Sequence, residues 1–132
     1  MADQSNRILE QRIRNRVTEY LELAGSFEQQ IEYAWTVPAA YVPHEVLNQW
    51  EDWVPTDPAD GSVTPVYSTL EVAALTSFHR AWLAASEALA DDAPSLAEVH
   101  ALPAWLALRD EARAARAVFG SRGPMPEDHE VE

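Results

Sequence analysis

The chain has 132 residues, 47% of them apolar, with five Trp and a formal charge of −13. That length and apolar content suit one domain around one core, and the absence of Cys excludes disulfides, thiolate catalysis and Cys-based metal centres. Every basic residue is Arg, nine against 22 acids, which argues against nucleic-acid binding, since phosphate affinity comes from Lys and Arg.

The opening residues, Met1 to Arg7, lack the apolar run of a secretory leader. No segment approaches the ~20 apolar residues of a membrane span, so a cytoplasmic protein is expected. From Ser5, a candidate N-cap, Leu9, Ile13, Val17, Tyr20, Ala24, Phe27, Ile31 and Ala34 recur at helical steps. Gly25-Ser26 interrupts the pattern, and Ser26 to Gln29 has the form of a capping box. The unbroken apolar phase favours one helix over residues 6–35 with a weak joint, rather than two.

Charge on this helix runs against its dipole. Arg7, Arg12, Arg14 and Arg16 crowd the N-terminal half, while Glu19, Glu22, Glu28 and Glu32 fill the C-terminal half. Packing holds the helix regardless, or each end meets opposite charge from elsewhere. An antiparallel copy would supply that charge, so a homodimer through residues 6–35 is expected, with a monomer as the alternative.

Pro38 and Pro43 make residues 37–42 an extended connector. Val46, Leu47, Trp50, Trp53 and Val54 then sit at helical spacing before Pro55. A turn-rich loop follows over residues 56–62, and Val63 to Tyr67, with Pro65 inside it, is at most a short edge strand. Ser68 and Glu71 form a second capping box, heading a helix with Val72, Leu75, Phe78, Trp82, Ala85 and Leu89 on one face. Ser95 caps a short turn reaching Ala101. Pro103 opens a last helix with Trp105, Leu108, Ala112, Ala115 and Phe119 inward and Gly120 at its C′ position.

Residues 121–132 have no apolar period and predict a flexible, disordered acidic tail. The fold expected is all-α: a compact bundle of four to five helices with a long N-terminal helix, residues 1–120 forming the single domain.

Between Val17 and His79 there are ten acidic side chains and no Lys or Arg, together with Trp35, Trp50 and Trp53. A one-sign field of this kind concentrates basic partners and repels nucleic acid and anionic membrane; it is equally the signature of a highly soluble or salt-adapted chain. The densest point is Trp50-Glu51-Asp52-Trp53. Its indoles share one helix face and its acids point away, which serves a core with a solvated face, or an indole at a rim for stacking on an incoming Arg. The partner-binding candidates are therefore Glu28, Glu32, Trp35, Trp50, Glu51, Asp52, Trp53, Asp57 and Asp60.

Chemistry is poorly marked. His44-Glu45-Val46-Leu47-Asn48 approaches the zincin pattern but has Asn48 where the second His is needed, and no metal is expected. Scattered glycines exclude a Walker loop or dinucleotide fingerprint, and no nucleophile elbow occurs; no cofactor or catalytic residue is assigned. The first expectation is a non-enzymatic module whose acidic, Trp-containing surface docks a basic protein. In size, charge and helical content the chain is similar to immunity proteins that neutralise basic nuclease toxins. The alternative is a small helical enzyme or ligand binder with an inter-helix pocket and His44, His79, Glu71 and Tyr67 as its polar groups.

Overall fold

The computed structural model describes residues 2–54, 58 and 64–131, with side chains from residue 6. Its elements are α1 (Ala2–Ala24), α2 (Phe27–Thr36), α3 (Val42–Trp53), α4 (Thr69–Ala88), α5 (Leu96–His100) and α6 (Pro103–Gly120). The architecture is an all-helical bundle, and no strand occurs among the described residues. Of the segment expected as an edge strand, residues 64–67 form a turn closed from the Thr64 N–H to the Tyr67 carbonyl at 3.0 Å, and residue 63 lies outside the described residues. No helix among the described residues is long and apolar enough to cross a membrane.

The later helices start where their sequences predict. Ser68 and Ser95 each accept a hydrogen bond from the N–H three residues on, and Glu71 and Glu98 accept one from the cap N–H, satisfying donors that a helix start leaves open. α6 packs against both α4 and α1, and α3 packs against α1. Between them lie Val17, Leu21, Trp50, Phe78, Trp105, Leu108 and Phe119, all sealed from water. The indole N–H groups of the buried tryptophans are all matched. Trp50 donates to His79 Nδ1 at 3.0 Å, Trp82 to the Leu47 carbonyl at 3.0 Å and Trp105 to the Ala85 carbonyl at 3.1 Å. Unmatched, each would cost about 1–3 kcal/mol.

The expected single helix over residues 6–35 is two helices. Gly25 forms a turn, and Ser26 caps α2 by accepting from the Gln29 N–H at 3.1 Å. The carbonyls stranded at the break find new donors. Gln30 reaches Leu23 at 3.0 Å and Ala24 at 3.4 Å, and Arg113 Nε reaches Gly25 at 2.7 Å. With its termini satisfied the chain gains nothing by continuing the helix. The break also resets the phase, so that Gln30 is buried and Ile31 is 45% exposed. Only half of the expected capping box forms: the Ser26 N–H donates to the Leu23 carbonyl at 3.2 Å, and the Gln29 amide N–H turns to Glu22 at 3.1 Å.

At the other end, Gly120 is the last residue of α6 rather than the residue beyond it, and the left-handed position falls at Gly123, with φ +75°. From there the chain runs along α1. It has no regular secondary structure, as its lack of an apolar period predicts, and side chains of α1 bond to it at several points. Asn15 forms a two-way pair with Met125, its Nδ2 donating to the carbonyl at 2.8 Å and its Oδ1 accepting from the N–H at 2.9 Å. Gln11 does the same over a wider span, donating to the Pro126 and His129 carbonyls at 2.7 and 2.8 Å and accepting from the Val131 N–H at 2.9 Å. Arg12 donates to the Glu127 carbonyl at 2.9 Å, and Arg16 reaches both Glu127 carboxylate oxygens at 2.9 and 3.0 Å.

This explains the reversed charge order of α1. The basic end meets acidic residues of the same chain, and the electrostatic reason for an antiparallel second copy is met intramolecularly.

Candidate functional surface

α2 turns one side outward. Glu28 and Glu32 lie one helical turn apart, Ile31 and Trp35 likewise, and all four are exposed. Trp35 is 82% exposed and Val37, just past the helix end, 41% exposed. No basic residue belongs to α2. The result is an apolar ridge with an indole at its tip and carboxylates beside it. Its inner side is pinned by Phe27, which stacks on the His100 ring at 3.7 Å and carries the Arg109 guanidinium at 5.0 Å from its centroid. His100 donates to Gln30 Oε1 at 2.8 Å. Burial, with the Arg109 charge, lowers its imidazole to about 4, so it is neutral at pH 7.

The candidates drawn from the sequence separate in space. Glu28, Glu32 and Trp35 form the α2 ridge. Glu51 and Asp52 are exposed on α3, but Trp50 between its neighbours is completely buried against Tyr20 and Phe78, and Trp53 packs partly buried against the core. Trp50 is therefore a core residue and no docking anchor: an indole whose N–H already serves His79 has no free face for a partner. Asp57 and Asp60 lie outside the described residues. Ile31, whose spacing predicts a place in the apolar row, and Val37, expected in a connector, join the exposed ridge. The cue was the Gly25-Ser26 break, which shifts everything beyond it by a fraction of a turn.

The four polar groups proposed for an inter-helix pocket do not gather. His44 is exposed and meets the Tyr41 ring edge-on at 4.7 Å. His79 lies between Trp50 and the Trp82 ring, stacked on the latter at 5.5 Å. Glu71 is fully buried and engaged. It pairs with Arg14 at 2.6 Å, with Arg122 through both carboxylate oxygens, and with the Ser68 N–H at 3.0 Å. Burial acts to raise its carboxyl, but the hydrogen bonds from Arg122, Arg14 and Ser68 and the Arg14 charge outweigh it and hold the group at about 2. Arg14, itself without exposed surface, lies over the Phe119 ring at 4.9 Å, and its Nε–H meets no acceptor in the protein. Tyr67 packs against Phe119, and burial raises its phenol. The contacts of Glu71, Arg14 and Tyr67 tie α1, α4 and the end of α6 together.

An open groove of about 820 Å³ runs between α1 and α6 and is closed on one side by Gly123, Pro124 and Glu127. Its volume would suit a small ligand, yet its charged groups are engaged: Arg113 on the Gly25 carbonyl, Arg116 on Glu22 at 3.5 Å and Glu127 on Arg16. Among the described residues, no three His, Asp or Glu side chains are gathered to hold a metal ion. Comparison with family models, characterised proteins and solved structures finds no match to this chain.

Proposed function

We propose that this protein is a non-enzymatic binding module whose α2 ridge docks a basic protein, with toxin neutralisation as its most concrete form. One observation carries the reading: an indole 82% exposed on a helix that has two outward carboxylates and no base. An exposed Trp has no reason of stability to be there, whereas Trp is enriched at interface hot spots where truncation costs 2 kcal/mol or more. Stacking of an Arg guanidinium on such an indole adds about 0.5–2 kcal/mol, and Glu28 and Glu32 stand where they would pair with the same cation. A second copy of α2 suits the ridge poorly, since it would bring four carboxylates together with no counter-charge. Glu51 and Asp52 extend the acidic field and speed encounter rather than adding affinity.

The test compares three immobilised proteins, wild type, Trp35→Ala and Glu28→Lys with Glu32→Lys, in capture from native lysate at 50 and 500 mM salt. The expected result is a basic protein retained by wild type at low salt, released at high salt and missing from both variants. Trp35→Ala should leave stability within about 0.5 kcal/mol of wild type, as exposed sites do. A captured set identical across the three proteins would remove α2 as the docking surface.

A further inference from the structure

The contacts between α1 and residues 123–131 have the form of peptide recognition rather than core packing. Gln11 and Asn15, one turn apart on α1, read the main chain: each uses its amide N–H to reach a carbonyl and its amide oxygen to receive an N–H. Met125 is the buried apolar contact, 9% exposed, and two residues on Glu127 pairs with Arg16. Arg7 donates to the Val131 carbonyl at 3.3 Å and Arg14 to the Gly123 carbonyl at 2.9 Å. Pro124 and Pro126 on either side of Met125 leave the Met125 N–H as the donor between them, and a bend over residues 127–129 brings the Pro126 and His129 carbonyls to the same Gln11 amide. Most of the holding force is polar and lies on one side of the segment. Met125 is its one buried side chain, and segments with few buried apolar contacts open at low free-energy cost. Opening uncovers Gln11 and Asn15, both nearly sealed in the closed state, on a helix face carrying Arg7, Arg12 and Arg16.

We propose that this face of α1 is a reader of acidic peptide segments, of the pattern apolar residue, any residue, Glu, and that residues 123–131 are its displaceable resident, blocking it until an acidic segment of another protein competes. The recognition is mostly of main chain, so a foreign segment of suitable charge meets the same donors and acceptors. The resident has the advantage of tethering, equivalent to a competitor at millimolar concentration for a short flexible link, and a competitor must bind better than it does. The surface is separate from the α2 ridge and opposite in sign.

The probe is a fluorescent peptide copying residues 123–131, titrated by anisotropy against the full chain, the full chain with Met125→Ala and Glu127→Ala, and that variant with Asn15→Ala added. Weakening the resident should tighten peptide binding at least about tenfold over wild type, and removing Asn15 should abolish the gain. Equal affinity for wild type and the double variant, with helicity intact by circular dichroism, overturns the proposal, as does binding indifferent to Asn15. Should the variants fold poorly, hydrogen exchange on the wild-type chain decides. Excess peptide should speed exchange of the Met125 and Val131 amides, and unchanged protection overturns the proposal. A concentration-dependent dimer that the peptide dissociates would identify a second copy as the competitor and overturn the assignment to a foreign peptide.

Discussion

Replacing Glu71 by Gln is the sharpest way to ask what holds α1 to α4. Gln keeps the shape of the side chain and still offers an oxygen to the Ser68 N–H, so the helix cap survives and the charge alone is removed. What remains is a fully buried Arg14 whose only ionic partner among the described residues was Glu71 at 2.6 Å, while Arg122 is a third exposed and can turn to water. Removing one member of a buried pair costs about 3–5 kcal/mol, mostly through the charge left behind, against a total domain stability of about 5–15 kcal/mol. Arg14→Met should cost less, because Glu71 keeps Arg122 and the Ser68 N–H, and the orphaned Nε–H disappears with the guanidinium. Urea titration of the two single variants and the double variant at pH 7 gives the coupling directly. The coupling should be almost unchanged in 1 M NaCl, since sealed charges are poorly screened. A Glu71→Gln loss below about 1 kcal/mol, or no coupling to Arg14, would refute the idea that these charges fasten the bundle.

Two further outcomes are expected. Stability should decline in two steps as acid is added: His100, lowered from 6.5 to about 4 in the folded protein, withdraws its contribution as pH falls from 6.5 to 4, and Glu71, lowered from 4.5 to about 2, does so from 4.5 to 2. Urea midpoints measured from pH 7 to 3 should show the upper step vanish in His100→Gln; an unaltered profile would show that the imidazole does not govern it. Gly25→Ala should lower stability by about 1–3 kcal/mol, because the added methyl meets the Leu21 carbonyl oxygen at 3.0 Å and Arg113 Cγ at 3.1 Å. A melting temperature equal to wild type would mean that the α1–α6 contact yields freely.

Much of the bundle was legible because its cues are local. Ser68, Ser95 and Pro103 mark starts that depend on three or four neighbouring residues, and the apolar faces of α4 and α6 follow helical spacing to the core. The errors sit where the decisive partner is far away in sequence. One helix or two over residues 6–35 turned on Arg113, 88 residues on, receiving the Gly25 carbonyl. The burial of Trp50 depended on Tyr20, Phe78 and His79. The lack of regular structure over residues 121–131 was legible from composition, but the α1 side chains that bond to them sit more than a hundred positions earlier. A signal for the last was present: Arg7, Gln11, Arg14, Asn15 and Thr18 share a polar stripe on α1, and long polar side chains at such spacing can serve a neighbouring chain as readily as water. Composition rich in Pro, Gly and acid describes what a segment cannot build alone, and the surface beside it decides whether it stays loose.

The trio of Arg14, Glu71 and Arg122 also orders events in time. Its members are 57 and 51 residues apart along the chain, so on a ribosome the first helix emerges long before either partner. Domains made from the N-terminus onward hold partly formed states open until their last contacts arrive. Here the closing contacts are the last to be made: until residue 122 and the strand after it are free, Arg14, Gln11 and Asn15 must remain wet. Residues 122–131 close the bundle, and a nascent chain that lacks them cannot bury the polar half of α1.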